Sequence, residues 1–421
     1  MPFFLEDLLM LTDPAELLPY LTRLRRAIHR RPEEGWCEFE TTRRVTEALE
    51  ADGFDVRVGT EVVDPEAAMG RDPVKVAAAI DRARAAGVPE AFLERLGGWT
   101  GAAAEFDTGR PGPVTLLRFE IDCVVVSESQ ACGHRPVDDG FVSMCPGLMH
   151  ACAHDVHAAT GLAIARWVKL NCDRLCGRIR FVFQPAEEGV RGARAMIAKG
   201  LVDGVDYCWT QHMTTSIRQN EVFASRDGFL STAKIDVGFE GTSPYGTALT
   251  AATDAALRMQ ALPRSSDGAS RISVGVIDAT SERARMAVEV RGAVQSVSDF
   301  MEEGVRRAVR SAAEMAGVTS DIRLAGRAEA LLPCAKAADM IERVAATLPG
   351  ITVTEDRTRG SDDSTLWMNA VVRAGGTAGC FHYGCDSATG LHTSTFDPQG
   401  EDAAIPALRL TAGLIADVHR R

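Results

Sequence analysis

The stretch between about residues 229 and 331 constrains the fold more than any other part of the sequence, because its hydrophobic pattern changes period several times. Apolar residues alternate where a strand is expected and follow the helical period where a helix is expected. The resulting order is strand, helix, strand, strand, helix, strand, which is the split β-α-β pattern of a small α+β unit. The predicted elements cover residues 232–240, 247–262, 271–278, 284–291, 296–316 and 319–327.

The sequence on either side of this unit predicts an α/β domain. Runs rich in β-branched and aromatic residues enclose a helical stretch, and a similar pattern returns near the end of the chain. Strands that alternate with helices form a mostly parallel sheet, and their polar loop residues gather at one edge. The predicted segments are strands 114–119, 179–184 and 351–353, helices 157–170 and 403–418, and a polar loop at 359–363.

The length of 421 residues exceeds what a single hydrophobic core usually fills. We therefore predict one domain made of residues 1–228 and 331–421, with residues 229–330 inserted as a second, smaller domain. Within the larger domain, helices are expected at 17–28 and 40–52, and residues 71–97 are expected to form one charged surface helix. Two flanking segments that share one core would place the insertion at its surface.

Composition excludes several classes of protein. Apolar residues make up 46% and charged residues 25%, as in a globular protein. No apolar run approaches the roughly 18 residues of a membrane-spanning helix, and a net charge of −12 disfavours a nucleic-acid surface. The 11 cysteines are irregularly spaced, so we interpret them as thiols. The acidic start lacks the features of a secretory signal, and we expect a cytoplasmic protein.

Residues 149–157 indicate a metal site, since they bring together a thiol, three imidazoles and a carboxylate. One residue separates Cys152 from His154, so an extended backbone would place both donors on one side. Thiolate, neutral imidazole and carboxylate are ligands of borderline divalent metals. The competing interpretations are a buried thiol with a capping histidine and a structural zinc knot, but a zinc knot usually needs a Cys-x-x-Cys pair that is missing here.

Two adjacent carboxylates, Glu187 and Glu188, form the second part of the predicted site. They lie between Pro185 and Gly189, on a bent loop directly after the strand predicted at 179–184. Adjacent acids at a helix start are usually exposed partners of the helix dipole. On a bent loop, however, one carboxylate can bind a metal while its neighbour exchanges a proton with a metal-activated water.

Two more histidines extend the cluster. His212 follows a strand-like run at 205–211 and is expected at the end of that strand, and His392 lies in a polar loop before the last helix. His382 is the alternative to His392. Its glycine, phenylalanine and cysteine neighbours indicate a core strand, so we prefer His392 as the ligand.

These motifs together resemble the dinuclear metal amidohydrolases related to aminoacylase and carboxypeptidase G, and within them the auxin-conjugate and aminobenzoyl-glutamate hydrolases. The similarity extends over nearly the whole chain, including the long insertion near residues 61–100. It implies an α/β fold with a zinc-peptidase-like mixed sheet flanked by helices, and an inserted ferredoxin-like α+β lid that commonly dimerises. The segments that carry it are 26–36, 107–113, 150–155, 183–189 and the loop around His392.

The resemblance also implies the residues of the site. Glu187 would act as general base and then as general acid, while Asp122 and Asp155 would lie behind the ligands and orient them. Manganese is the expected metal, with zinc as the alternative, as one or two ions in each protomer of a homodimer or larger homo-oligomer. The implied metal ligands are Cys152, His154, Glu188, His212 and His392.

The predicted lid departs from the family pattern. Family members carry a lid histidine that helps to stabilise the oxyanion, yet this chain has no histidine between His212 and His382. The usual Asn-Val-Ile-Pro segment is replaced at 280–286, and a motif glycine is replaced by Ala153. Losing one oxyanion donor typically costs about 10²- to 10³-fold in rate, so these changes disfavour ordinary amide hydrolysis.

The leading hypothesis from the sequence is therefore a reaction that needs no oxyanion hole. The chain looks like the branch of the family that removes the ring amino group of 5-nitroanthranilate, giving 5-nitrosalicylate and ammonia by attack of a metal-bound hydroxide on the aromatic carbon. The alternatives are an amidase for aminobenzoyl-glutamate or another N-acyl amino acid, and a non-catalytic binding homologue. Arg264, Arg283 and Arg285 are the candidates for contacting a substrate carboxylate.

Overall fold

The largest element of the fold is a mixed sheet with the strand order β1-β2-β4-β3-β5-β14-β6-β13. It is seen in a computed structural model that describes residues 11–358 and 360–421, so the acidic start of the chain and Arg359 of the predicted polar loop lie outside the described residues. The strands are β1 (Val56–Val58), β2 (Ala102–Asp107), β3 (Val114–Glu120), β4 (Arg178–Gln184), β5 (Tyr207–Gln219), β6 (Glu221–Ala224), β7 (Ser231–Glu240), β8 (Thr242–Ser243), β9 (Gly246–Thr247), β10 (Ser270–Ala279), β11 (Arg283–Gly292), β12 (Thr319–Ala328), β13 (Thr352–Val353) and β14 (Thr377–Gly384).

Helices cover both faces of this sheet, and two of them belong to the insertion. The α-helices are α1 (Leu18–His29), α2 (Phe39–Ala51), α3 (Pro73–Ala85), α4 (Glu90–Leu96), α5 (Arg135–Asp138), α6 (His154–Leu170), α7 (Ala193–Ile197), α8 (Ala248–Gln260), α9 (Gln295–Ala316), α10 (Ala335–Ala345), α11 (Ser364–Arg373) and α12 (Ile405–His419). No helix of the described ranges is long and apolar enough to cross a membrane.

The centre of the large sheet is parallel. β4, β3, β5 and β14 are neighbours in this order and run in the same direction. The side chains of β3, β4 and β14 are almost entirely buried, as expected for parallel strands covered by helices on both faces. Because β3 and β4 run in the same direction, the loops that follow them leave the sheet at the same edge. The predicted strands at 114–119 and 179–184 and the mixed α/β fold are confirmed.

The inserted unit forms a separate antiparallel sheet with the order β10-β11-β7-β12. Alternate residues of β7, from Ala233 to Phe239, face a second hydrophobic cluster shared with α8 and α9. The six elements appear in the predicted order, so the split β-α-β prediction is confirmed. The predicted lid range 229–330 encloses this sheet.

The prediction of one helix at 71–97 is wrong, because the segment forms two. α3 begins at Pro73, where Asp72 accepts hydrogen bonds from two backbone N–H groups of its first turn, and it ends before Gly87, which has a positive φ of 84°. Pro89 then precedes α4. A proline lacks the N–H that a continuous helix would need at this point, so the chain turns and begins a second helix.

Candidate metal centre and active-site pocket

The first predicted cluster lies between the large sheet and the start of α6. Cys152 is in the preceding loop and His154 is the first residue of the helix. Ala153 between them has a left-handed φ of 63°, and His392 has a φ of 62°. Such backbone is unfavourable for residues other than glycine, and it persists where the surrounding structure holds it in place, often at functional sites. Ala153, which replaces the motif glycine of the family, thus has a backbone conformation that favours glycine.

The structure brings the five predicted ligands together from four segments of the chain. Sγ of Cys152 lies 3.0 Å from Nε2 of His392 and 3.6 Å from Nε2 of His212. Nε2 of His392 is also 3.3 Å from a carboxylate oxygen of Glu188. The rings of His154 and His212 are 5.8 Å apart. All five residues therefore surround one small volume at the edge of the sheet.

The prediction that His212 ends its strand is wrong, because β5 continues to Gln219. His212 lies in the middle of the strand and pairs in register with His382 of β14. The strand continues past the ligand cluster, although the polar residues that follow His212 gave no indication of a longer strand. The side chain of His212 still points to the ligand cluster.

Hydrogen bonds fix the orientation of two ligand histidines. Nδ1 of His154 donates to the backbone oxygen of Asp122 at 2.9 Å, and a carboxylate oxygen of Asp122 is 3.3 Å away. Nδ1 of His212 donates to the backbone oxygen of Met213 at 2.6 Å. Both rings then turn Nε2 towards the cluster, where a bound metal would require this nitrogen to be unprotonated. Asp122 also accepts the N–H of Glu188 at 2.9 Å, so it holds two parts of the site at once.

The two adjacent carboxylates have opposite electrostatic environments. Burial, together with the charges of Asp362 and Glu188, raises the pKa of Glu187 well above its usual value. Burial would also raise the pKa of Glu188, but the hydrogen bond from His392 and the charge of His154 outweigh it and lower this pKa to about 2. Carboxyl groups whose environments separate their pKa values commonly divide acid–base and charge-holding roles. Glu188 therefore suits a metal ligand that stays ionised, and Glu187 suits a group that accepts and returns a proton.

The donors present fit a divalent metal. The buried Nε2 of His154 has no hydrogen-bond partner among the described residues, and a carboxylate oxygen of Glu187 lies 3.8 Å from it. Cys152, Glu188 and His392 place one donor atom each within 4.8 Å of one another, and so do His154, Glu187 and Glu188. A thiolate, imidazoles and carboxylates around an unsatisfied buried nitrogen form a set suited to zinc or a similar ion.

The structure does not place Asp155 behind a ligand, so that prediction is wrong. One of its oxygens accepts a hydrogen bond from Nε of Arg25 at 2.9 Å and contacts Nδ1 of His29 at 2.8 Å. Arg25 and His29 belong to α1 and are buried. Consecutive helix residues point about 100° apart, so Asp155 faces α1 while His154 faces the cluster. Asp155 therefore anchors the first turn of α6 to α1.

A pocket of about 480 Å³ opens directly beside the ligand cluster. Lys234 and Arg291 of the lid and Arg357 of the larger domain line it, as do Phe223 and Phe229. The three candidate arginines, Arg264, Arg283 and Arg285, are exposed and do not line this pocket. They lie near the far end of the lid sheet or in its loops, whereas Lys234 and Arg291 lie near the larger domain.

Two of the pocket residues that the sequence did not predict, Lys234 and Arg291, share one face of the lid sheet. In β7 and β11 the alternating apolar residues are buried under the lid helices, so Lys234, Glu289 and Arg291 occupy the opposite face. Glu289 pairs in register with Lys234 and forms ion pairs with both cations. The alternation was readable from the sequence, but the strand register and the pocket were not.

The lid packs directly on the loop of the two glutamates. The N–H of Arg327 in β12 donates to the backbone oxygen of Val190 at 3.0 Å. A Cβ added to Gly326 would lie 1.9 Å from the backbone oxygen of Gly189. This close approach allows β12 to support the turn that carries Glu187 and Glu188.

We expect Gly326→Ala to destabilise the protein by about 1–3 kcal/mol and to lower activity, since two backbones must separate to fit the methyl group. Gly238→Ala is the matched control, because a Cβ there meets only Cβ of Asp321, at 3.9 Å. Urea unfolding and a rate assay of both variants test this. Equal stability of the two variants would contradict the packing argument.

The comparison with known proteins agrees with this geometry. The sequence profile described as peptidase family M20/M25/M40 matches residues 116–417. The chain is 39% identical over 401 residues to the indole-3-acetyl-aspartic acid hydrolase of Enterobacter agglomerans, covering 91% of this chain and 92% of that protein. It is 38% identical over 400 residues to one of the subunits of the p-aminobenzoyl-glutamate hydrolase of Escherichia coli (strain K12), covering 90% and 92%.

A solved structure is also similar over nearly the full length. The aminobenzoyl-glutamate utilization protein of Klebsiella pneumoniae matches with a TM-score of 0.80 and 33% identity, covering 95% of this chain and 96% of that chain. The chain therefore belongs to the peptidase family M20/M25/M40, and it is a hydrolase of C–N bonds. The expected family resemblance, including its closeness to the aminobenzoyl-glutamate hydrolases, is confirmed.

Proposed function

We propose that the chain is a metal-dependent amidohydrolase that cleaves the amide bond between an aromatic acyl group and an acidic amino acid. The observation that carries the proposal is a single pocket in which the ligand cluster and Glu187 meet three cationic side chains and two phenylalanines. The names of two similar proteins, an indole-3-acetyl-aspartic acid hydrolase and a p-aminobenzoyl-glutamate hydrolase, describe substrates of this kind. They support this alternative over the deamination that the sequence alone favoured.

The pocket supplies separate contacts for the two halves of such a substrate. Phe223 and Phe229 offer apolar surface for the aromatic group. Lys234, Arg291 and Arg357 offer positive charge for the carboxylates of the amino acid. Glu289 neutralises only part of the charge of the two lid cations, since it lies between them. The amide would then lie beside Glu187.

The five ligand residues Cys152, His154, Glu188, His212 and His392 would hold the metal. A bound divalent ion would supply Lewis-acid chemistry, polarising the carbonyl and lowering the pKa of water to about 7. Glu187 accepts a proton from the attacking water as the C–O bond forms. It returns this proton to the nitrogen as the C–N bond breaks, which yields an aromatic acid and a free amino acid.

A second candidate function is the hydrolytic removal of the ring amino group of 5-nitroanthranilate. One observation favours it, namely that residues 213–381 contain no histidine that could act as a lid oxyanion donor. A nitro group takes up negative charge itself, so this reaction would not need that donor. Its products would be 5-nitrosalicylate and ammonia, with Glu187 protonating the leaving nitrogen.

Product analysis separates these candidates. The protein supplied with Mn²⁺ or Zn²⁺ is incubated separately with p-aminobenzoyl-glutamate, indole-3-acetyl-aspartate and 5-nitroanthranilate, and free amino acid and ammonia are measured. We expect glutamate or aspartate without ammonia. Ammonia from 5-nitroanthranilate without any amino acid release supports the second candidate. Release of neither product with either metal contradicts both and favours a binding homologue. The assay also tests manganese as the proposed metal, with zinc as the alternative.

We further propose that the lid forms a homodimer. β10 is at the edge of the lid sheet and exposes Val276 and Ile277, while α8 exposes Leu249 and Leu257. An exposed apolar edge strand presents unpaired N–H and C=O groups to which a strand of another chain can bind. We expect the wild type to sediment as a dimer and Val276→Lys as a monomer. Val74→Lys, at an exposed position of α3, is the control that should remain dimeric. A Val276→Lys dimer would contradict this surface.

A further inference from the structure

His157 belongs to the cluster at 149–157, yet neither the ligand set nor the proton-transfer step described above uses it. Its side chain is fully buried. It lies in α6 three residues after His154, so both side chains share one face of the helix, and their rings are 5.7 Å apart. The ring of His157 also packs edge-on against that of His212, with centroids 4.7 Å apart and an interplanar angle of 69°. His157 is therefore in contact with two of the ligands.

The hydrogen bond to His157 has a definite direction. The backbone N–H of Met213 donates to Nε2 of His157 at 3.0 Å. A backbone N–H can only donate, so this nitrogen carries no proton. In the neutral ring the proton is then on Nδ1, which faces a carboxylate oxygen of Glu120 at 3.5 Å. His157 is thus an acceptor on the side of the ring that meets β5.

This tautomer argues against His157 as a further metal ligand. Four residues place one donor atom each within 4.8 Å of one another, which would allow an ion between them, namely Glu120, His154, His157 and His212. Nε2 of His157, however, is occupied by the N–H of Met213, and Nδ1 carries the proton. A neutral imidazole binds a metal through a free nitrogen lone pair, and this ring has none to offer.

Met213 connects His157 to the ligand His212. Its N–H is bound by His157, and its backbone oxygen accepts Nδ1–H of His212 at 2.6 Å. The pairing of β5 with β14 is in register up to Met213 and Tyr383 and shifts directly after them. The side chain of His157 therefore holds the backbone of β5 at the point where its regular pairing ends.

We propose that His157 is a positioning residue that orients the ligand His212 by holding the backbone of Met213. With this backbone fixed, Nδ1 of His212 keeps its acceptor and Nε2 stays turned towards the ligand cluster. Groups that orient metal ligands in this way typically contribute about 10- to 100-fold to metal affinity. The inference rests on the ligand set of the proposed function and adds a residue that contacts neither metal nor substrate.

Metal affinity tests this role without any substrate. The Zn²⁺ dissociation constant is measured by competition with a chelator for wild type, His157→Phe and His157→Gln. Phenylalanine keeps a ring in this position but cannot accept the N–H of Met213, whereas the side-chain oxygen of glutamine can. If His157→Phe does not fold, His157→Asn takes its place, because the asparagine side chain is too short to reach Met213.

Tyr383→Phe is the matched control. Tyr383 is buried, and its ring lies 6.1 Å from that of His157. The substitution removes only a hydroxyl group that has no hydrogen-bond partner within the part of the chain that the structure describes. It therefore changes the surroundings of the His157 ring without changing its contact with Met213.

For His157→Phe we expect the dissociation constant to rise about 10- to 100-fold, with the same number of ions bound at saturation as in wild type. His157→Gln should regain part of the loss, and Tyr383→Phe should bind metal like wild type. With Co²⁺ in place of Zn²⁺, the visible absorption bands of His157→Phe should differ from those of wild type, because the orientation of one ligand changes. A merely structural role would lower the midpoint of unfolding of the metal-free protein and leave affinity and spectrum unchanged.

Equal dissociation constants of wild type and His157→Phe would overturn the inference and leave the proposed function intact. Loss of a whole equivalent of metal at saturation would also overturn it, since His157 would then be a ligand. An equal loss of affinity in Tyr383→Phe would do the same, because the effect would then come from packing. A wild type that binds no metal would contradict the proposed function and the inference together, so the wild-type measurement alone distinguishes the two failures.

Discussion

Glu187→Gln should lose nearly all hydrolytic activity while it keeps its metal. Glutamine has the same size but cannot exchange a proton, and general acid–base catalysis typically contributes about 10²- to 10⁴-fold to a rate. Glu187 lines the pocket beside Glu188 and has its pKa raised by burial and by neighbouring carboxylates. We therefore expect kcat to fall by about this factor, as measured with the substrate that wild type cleaves.

The same substitution should stabilise the metal-free protein. Carboxylate oxygens of Glu187, Asp362 and Asp363 lie within 4.8 Å of one another, so replacing one of these acids by a neutral amide relieves repulsion. We expect a higher midpoint of unfolding in the presence of a chelator. Glu188→Gln provides the contrast, since it should lose metal as well as activity. A fully active Glu187→Gln protein would contradict the assignment of this residue.

Arg118→Met should destabilise the protein by about 3–5 kcal/mol, the usual cost of removing one partner from a buried ion pair. The Arg118 side chain is fully buried in β3 and contacts Glu120 at 2.9 Å and Asp363 at 2.8 Å. Its Nε also donates to Oε1 of Gln184 at 2.9 Å. Without the guanidinium, two carboxylates would remain buried with too little positive charge.

The location of Arg118 adds a functional consequence. Asp363 also accepts a hydrogen bond from the N–H of Ala193, just after the loop of the two glutamates. Arg118→Met should therefore weaken metal binding in addition to stability. Arg178→Met is the matched control, because Arg178 lies on the neighbouring strand β4, is 44% exposed and pairs with Glu105. An exposed pair contributes about 0–1 kcal/mol. Urea unfolding curves of both variants that coincide would contradict the buried network.

The spacing of apolar residues predicted most of the helices and strands, because one period is repeated throughout each of them. The strand at 231–240 and the helix at 295–316 were predicted to within a residue, since their apolar residues keep one period throughout. The break near Pro89 was missed because the charged, alanine-rich composition continues on both sides of it. Proline and glycine two residues apart were the signal, and they should have outweighed the composition.

The ligands were predictable for a different reason from the pocket. Cys152, His154, Glu187 and Glu188 form short motifs whose chemistry is evident from adjacent residues. Lys234 and Arg291 reach the pocket only through the register of the lid sheet and its packing on the larger domain. The contact between Arg118 and Asp363 joins residues 245 positions apart, and nothing in the local sequence of either one indicates the other.

The most direct test of the account is the metal content of the protein purified without added metal. We predict at least one equivalent of a divalent ion per chain by elemental analysis. The ion should be lost from a Cys152→Ala, His212→Ala double variant that retains the wild-type circular dichroism spectrum. A wild type that binds no stoichiometric metal, yet hydrolyses its substrate in the presence of a chelator, would contradict the account.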